Sequence, residues 1–193
     1  MNTNTKTNVR CLAEGAIMVA LAQILSMIKI WEMPWGGSVC LVMAPIIFFA
    51  CRWGLKYGLM SGFILGCLQF LLDGGFALSI QSILGDYLLA FCVLGMAGLF
   101  RFKKSSIFMG TLLGSAARFA VHYVVGATVW AMYMPDVYFG LKMTTPWLYS
   151  LLYNLSYMVP DTLLCFAVFG ILYKPLGRFL RAKDVKALRD NKT

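Results

Sequence analysis

Six apolar runs follow one another along this chain of 193 residues, and short polar segments such as Asp73-Gly74-Gly75 separate them. A helix needs roughly 20 apolar residues to cross the hydrocarbon core of a bilayer. The pattern predicts an all-α polytopic membrane protein with six transmembrane helices in a single membrane domain, ending in a basic tail at 174–193. The second run is shorter than the others. The predicted spans are 11–30, 38–51, 54–72, 80–100, 107–132 and 147–173.

Composition and charge support this interpretation. The chain is 60% hydrophobic and only 13% charged, which leaves too little polar surface for a soluble domain. Most of its Lys and Arg residues fall in the two tails and in the segments between the second and third and between the fourth and fifth runs. These four segments lie on one side of the predicted membrane, so the positive-inside rule predicts that both termini are cytoplasmic in a bacterial cell membrane. The net charge of +9 then requires no nucleic-acid partner.

Signatures of common enzyme classes are missing from the sequence. A single histidine excludes an HExxH zinc pair, and neither a GxSxG elbow nor a GxxxxGK[ST] phosphate loop occurs. The six cysteines form no CxxC pair and lie in or beside apolar runs, so we interpret them as small hydrophobic residues. We therefore expect no catalytic activity, no cofactor and no metal, and any active transport needs an ion gradient or a partner ATPase.

Small residues recur every four positions on three of the runs and indicate close helix packing. The third run carries four glycines, the fifth carries Gly110 and Gly114, and the first carries Ala16 and Ala20. For the third and fifth runs the pattern favours packing within the molecule. The glycines of the third run are Gly54, Gly58, Gly62 and Gly66.

Four ionisable residues fall inside predicted spans, where a charge is costly and therefore marks a functional candidate: Asp86, Arg118, His122 and Asp161. The predicted topology places Asp86 in the outer half of its helix and His122 at mid-depth or above. Arg118 and Asp161 lie at similar depths, so we expect Asp161 to pair with Arg118.

Aromatic residues share helix faces with these polar groups. His122, Gly126 and Trp130 are four apart, and so are the tyrosines at 149, 153 and 157. Gly126 is expected to leave space for a flat ligand. A carboxylate, an amide and several aromatic rings together suit a small, flat, cationic heteroaromatic molecule. The alternatives are an interfacial aromatic belt, which applies especially to Trp35 and Trp147, a structural ion pair for Asp86, and simple packing of His122.

Several separate motifs resemble, in the same order, the thiamine-specific substrate-binding subunit (S-component) of energy-coupling factor (ECF) transporters. The similarity extends from about Arg10 to Tyr173. The motifs are Met33-Pro34-Trp35-Gly36-Gly37-Ser38, Pro45, Arg52-Trp53-Gly54-Leu55-Lys56, Asp86-Tyr87, Gly95-Met96-Ala97-Gly98-Leu99-Phe100, the run from Arg118 to Trp130, and Tyr149 with Asn154.

This resemblance implies six helices and a thiamine pocket that opens outward. Asp86, where a member of the family has Glu, would pair with the thiazolium. Tyr87 and Asn154 would hold the aminopyrimidine, and the rings would contact His122 and Trp130. The remaining implied pocket residues are Tyr149, which would close the pocket, Arg118, and Trp35, which is shifted from the family's loop tryptophan.

The resemblance also implies partners. Such subunits have no ATPase of their own and dock on a transmembrane coupling protein with two cytoplasmic ATPases, and Ala16 and Ala20 would contact the coupling protein. The loop from Trp31 to Ser38 is expected to act as a lid. Alternatives are an S-component for another vitamin or a thiamine precursor, and a proton- or sodium-coupled carrier with Asp86, His122 and Asp161 as relay groups. A membrane enzyme is disfavoured.

Overall fold

The computed structural model describes residues 3–72, 77–103 and 105–190. The predicted loop at Asp73, Gly74 and Gly75 lies outside the described residues. Five helices in the described part are long and apolar enough to cross a membrane: Thr7–Ser26 within α1 (Thr3–Ser26), α3 (Leu55–Leu72), the composite helix (Ile80–Phe100), α6 (Ser106–Thr128) and α7 (Pro146–Leu172).

The second predicted span, 38–51, is not one continuous helix. Its first residues form strand β2 (Ser38–Val39), which pairs with β1 (Trp31–Glu32), and the helix α2 covers only Met43–Trp53. Eleven residues extend about 16 Å, roughly half of the hydrocarbon thickness. Ten of the eleven are buried, because the other helices enclose α2. The continuous apolar character of α2 reflects its burial among the other helices, and α2 alone is too short for a full crossing.

The composite helix changes its hydrogen-bonding pattern along its length. It starts as α4 (Ile80–Ser82), continues as a π-helical segment (Ile83–Leu89) and α5 (Ala90–Cys92), and ends as a 3₁₀ segment (Val93–Phe100). π-helical segments occur preferentially at functional sites. Asp86 and Tyr87 lie within this one.

Glycines allow α3 to lie directly against the composite helix. A Cβ on Gly62 would come within 2.2 Å of the Phe91 carbonyl oxygen, and one on Gly66 within 2.5 Å of the Tyr87 carbonyl oxygen. On α6, a Cβ on Gly110 would come within 2.5 Å of the Cys51 sulfur. These contacts confirm that the glycine faces of the third and fifth runs serve packing within the molecule.

Two further hairpin strands, β3 (Val137–Tyr138) and β4 (Leu141–Lys142), connect α6 to α7. The β1–β2 hairpin contacts the first half of α7 through Tyr153. We call this end of the helix bundle the hairpin end. The opposite end, where residues near both termini meet, is the tail end.

A buried arginine organises the tail end. Arg52 is 2% exposed and donates hydrogen bonds to both Glu14 and Asp184, at distances from 3.0 Å. Arg10 also contacts both carboxylates, and Trp53 donates its indole N–H to Glu14 at 2.8 Å. Part of the predicted basic tail therefore folds back as α8 (Gly177–Leu180) and α9 (Lys183–Asp190).

Candidate ligand-binding site

A cavity of about 430 Å³ opens among the β1–β2 hairpin, the composite helix, α6 and α7. Its volume lies within the range of roughly 300–1,000 Å³ that is usual for small-molecule sites. All eight residues that the sequence singled out for the pocket line it. They are Trp35, Asp86, Tyr87, Arg118, His122, Trp130, Tyr149 and Asn154.

The Asp86 carboxylate receives three hydrogen bonds at the cavity wall. His122 Nδ1 lies 3.0 Å from Oδ1, while Trp130 Nε1 and the Ser82 hydroxyl donate to Oδ2 at 2.8 and 3.0 Å. A carboxylate can accept about four hydrogen bonds, so these donors fix its orientation and leave acceptor capacity for a ligand. Its negative charge faces aromatic rings in a mostly apolar cavity, which suits a cation.

Arg118 and His122 extend this polar chain along α6. Arg118 Nε donates to His122 Nε2 at 3.3 Å, so a neutral His122 carries its proton on Nδ1 and donates it to Asp86. The Arg118 guanidinium carbon lies 4.3 Å from the ring centre of Phe91. Its Nη1 is buried without a hydrogen-bond partner among the described residues. An unsatisfied buried donor is costly, and this nitrogen is closed off from the open cavity.

The predicted ion pair between Arg118 and Asp161 is wrong. Asp161 Oδ1 instead accepts a hydrogen bond from the backbone N–H of Cys40 at 2.7 Å. That N–H follows the last residue of β2 and needs an acceptor because it is buried. Arg118 is turned toward His122 and Phe91.

Aromatic side chains form much of the remaining wall. The Trp35 ring centre lies 4.6 Å from that of Tyr133, which in turn lies 5.8 Å from that of Trp130. On α7 the rings of Tyr149, Tyr153 and Tyr157 follow at 5.6 and 6.2 Å. Such surfaces stack on flat heterocycles at little entropic cost.

The side chain of Asn154 is fixed within this wall. Its Nδ2 donates to the Ser150 carbonyl at 2.8 Å, and its Oδ1 accepts from the Tyr157 hydroxyl at 2.7 Å. Gly126 lines the cavity, in agreement with the expectation that it leaves space beside the helix. A Cβ there would come within 2.4 Å of the Ser150 hydroxyl, so Gly126 also lets α6 approach α7 closely.

Two residues that matter for the site, one that orients Asp86 and one that lines the cavity, were among those missed from the sequence. Ser82 lies four positions before Asp86, and that spacing could have revealed it as a neighbour on the same helix side. Tyr133 lies in a short 3₁₀ turn (Ala131–Tyr133) beyond α6, where no periodic pattern marks it. Among the described residues, no group of His, Cys, Asp and Glu is arranged to hold a metal ion.

Outside the cavity, Ala16 and Ala20 are exposed on α1. Large apolar residues on the same helix are exposed as well, including Leu12, Ile17 and Ile24. This face of α1 is not covered by the described part of the chain, so lipid or another protein can contact it.

Comparisons with known proteins agree with one another. Residues 12–180 match the family described as thiamine transporter protein (Thia_YuaJ). The chain is 34% identical to thiamine transporter ThiT of Bacillus subtilis, over 89% of this chain and 94% of that protein. It is 30% identical to thiamine transporter ThiT of Lacticaseibacillus paracasei, over 91% and 92% of the two chains. A solved structure of ThiT from Listeria monocytogenes has the same fold, with a TM-score of 0.78 at 24% identity, covering 90% of this chain and 98% of that one.

Proposed function

Because this chain belongs to the thiamine transporter protein family, a family of multi-pass bacterial membrane proteins that transport and do not catalyse, we propose that its cavity binds thiamine with high affinity. The observation that carries the proposal is the Asp86 carboxylate, held by three donors in a cavity walled by aromatic rings. A permanent cation on a flat ring matches this combination of charge and shape.

Each part of thiamine has a complementary group in the cavity. The thiazolium charge pairs with Asp86, and the rings stack near His122 and Trp130. Tyr87 and the fixed amide of Asn154 hold the aminopyrimidine, and Tyr149 closes the far wall. Arg118 lines the cavity as well, and its guanidinium is the proposed partner of the thiamine hydroxyl.

We propose that the chain crosses the membrane six times with both termini in the cytoplasm. The positive-inside distribution supports this orientation. The second crossing is made by residues 38–42 followed by α2, and irregular backbone is tolerated at membrane depth when protein surrounds it. Burial of α2 and the hydrogen bond from Cys40 to Asp161 satisfy that condition. The cavity at the hairpin end then opens to the outside.

The energy for uptake is proposed to come from partners. The sequence lacks a nucleotide phosphate loop, and ECF-type importers supply a coupling protein and two ATPases. The exposed face of α1 around Ala16 and Ala20 is the proposed contact with the coupling protein, because small residues let another helix approach closely. The whole subunit then moves in the bilayer to release its ligand inside.

A competition experiment tests the choice of ligand. Tryptophan fluorescence of the purified protein is titrated with thiamine, its phosphates, pyrimidine precursors, biotin and riboflavin, since Trp35 and Trp130 line the cavity. Tightest binding of thiamine is expected. If another vitamin or a precursor binds more tightly, that ligand and not thiamine is the substrate. The carrier alternative makes a different prediction. Uptake would then persist in cells that lack the ATPase partners and would stop when the proton gradient is collapsed.

A further inference from the structure

One face of α7 holds the β1–β2 hairpin at three successive turns of the helix. The contacts come from Tyr153, Tyr157 and Asp161, which are four residues apart and therefore lie on the same side of the helix. We propose that Tyr153 is a releasable clasp for the hairpin and that Asp161 is the fixed pin at its base. Both are positioning residues that set the rate of ligand entry and release, so the proposal rests on ligand binding in the cavity.

The clasp is made by a single hydroxyl group. The Tyr153 hydroxyl accepts a hydrogen bond from the backbone N–H of Trp35 at 3.0 Å and donates one to the Gly36 carbonyl at 2.8 Å. Both bonds are solvent-exposed. Hydrogen bonds between neutral groups that water can replace are weak, so this contact can open without great cost.

The pin has the opposite character. Asp161 is 1% exposed, and its carboxylate accepts the buried N–H of Cys40 at 2.7 Å. This hydrogen bond is short and buried, so water has little access to compete for either partner. The base of the hairpin is also closed by its own ladder, in which the N–H of Ile30 bonds to the carbonyl of Val39 at 2.9 Å.

This gradient of contact strength predicts how the hairpin opens. The tip carries Trp35, whose ring lines the cavity and stacks on Tyr133. Because the clasp holds the backbone of Trp35 itself, breaking it frees the tryptophan to leave the cavity wall. The base stays in place through Asp161. The turn at the tip is closed by a hydrogen bond from the Met33 N–H to the Gly37 carbonyl at 2.9 Å, and Gly36 and Gly37 adopt the positive φ values of 89° and 84° that the turn requires.

Hydrogen–deuterium exchange of the free protein tests the proposal without any ligand. Tyr153→Phe keeps the ring and removes the hydroxyl, so exchange of the Trp35 amide should accelerate by about fivefold while the Cys40 amide stays protected. Asp161→Ala should expose both amides, and Asp161→Asn, which keeps an acceptor, should restore most of the protection. Thr162→Val, which removes a hydroxyl bonded only within α7, is the matched control and should change neither.

Ligand kinetics provide the second readout. A clasp that limits opening of the hairpin slows ligand entry and ligand release together. Tyr153→Phe should therefore raise the association and dissociation rates of thiamine by similar factors of about five. The dissociation constant should stay nearly unchanged. Unchanged exchange of the Trp35 amide in Tyr153→Phe, or a change in the dissociation rate alone, would overturn the proposal. If the wild-type protein bound no thiamine, the proposed function would fail, and the exchange measurement would still decide whether the clasp and pin exist.

Discussion

At the scale of single residues, one carboxylate accounts for the cavity's preference for a cation. Asp86 is only partly exposed, and its three donors hold it in place before any ligand arrives. A binding group that is already oriented loses little entropy when the ligand binds. The π-helical segment around Asp86 places its side chain beside Ser82, His122 and Trp130.

Replacing this carboxylate separates charge from shape. Asp86→Asn retains the size of the side chain but removes the charge, and we expect thiamine binding to weaken by at least about thirtyfold, because truncating one partner of a buried charge pair costs roughly 2–5 kcal/mol. A neutral pyrimidine precursor should lose much less affinity. Titrations of both ligands on both proteins measure the difference. Equal losses for the two ligands would argue against a charge pair.

Much of this site could be predicted from residue types alone. Asp86 and His122 stood out because ionisable groups are rare inside apolar runs. The partner of Asp161 could not be predicted, because Cys40 contributes a backbone N–H, which every residue except proline carries. Tyr133 was missed because a non-periodic turn positions it.

At the scale of elements, contacts between glycines and neighbouring backbone fix how closely the helices approach. The regular spacing on the third run predicted these contacts. The length of α2 could not be predicted, since a buried helix and a membrane span are both continuously apolar. The sequence of the composite helix likewise gives no sign of its π and 3₁₀ segments, which depend on how its neighbours pack.

The glycine contacts make a matched pair of substitutions informative. Gly62→Ala would place a Cβ 2.2 Å from the Phe91 carbonyl oxygen, so α3 and the composite helix must separate at a cost of about 1–3 kcal/mol or more. Gly170→Ala on α7 meets nothing within 4 Å and serves as the control. Thermal unfolding in detergent should show a lower midpoint for Gly62→Ala only. Equal midpoints for the two variants would contradict close packing at Gly62.

At the scale of the whole molecule, the two ends have different tasks. The hairpin end holds the cavity, and the tail end is fastened by Arg52, which joins α1, α2 and α9 through Glu14 and Asp184. Breaking a buried ion pair is strongly destabilising because one charge is left without a partner. The charge pattern predicted that the tails lie on the same side, whereas their docking depends on contacts between residues more than 130 positions apart.

The ion pairs of Asp184 predict that the protein becomes less stable in acid. Burial alone would raise the pKa of Asp184, but hydrogen bonds from Arg52 and Arg10 outweigh burial and hold it below its ordinary value of 3.8. A depressed carboxyl pKa stabilises the folded state above that ordinary value, and the stabilisation is lost as the pH falls below it. The midpoint temperature of thermal unfolding should therefore decrease when the pH is lowered from 6 to about 3.

Asp184→Asn is the control for this effect, because it cannot ionise. Its midpoint should lie below that of the wild type at pH 6, and the two should converge in acid. A constant gap between the two proteins across the pH range would show that Asp184 does not contribute through its charge.

The central claim is that this chain alone binds thiamine in its cavity. Isothermal titration of the purified protein, without coupling protein or ATPases, measures this most directly. We expect one thiamine per chain, a dissociation constant of about 1 µM or below, and weaker binding after Asp86→Asn. An absence of binding to the folded wild-type protein, or binding that Asp86→Asn leaves unchanged, would contradict it.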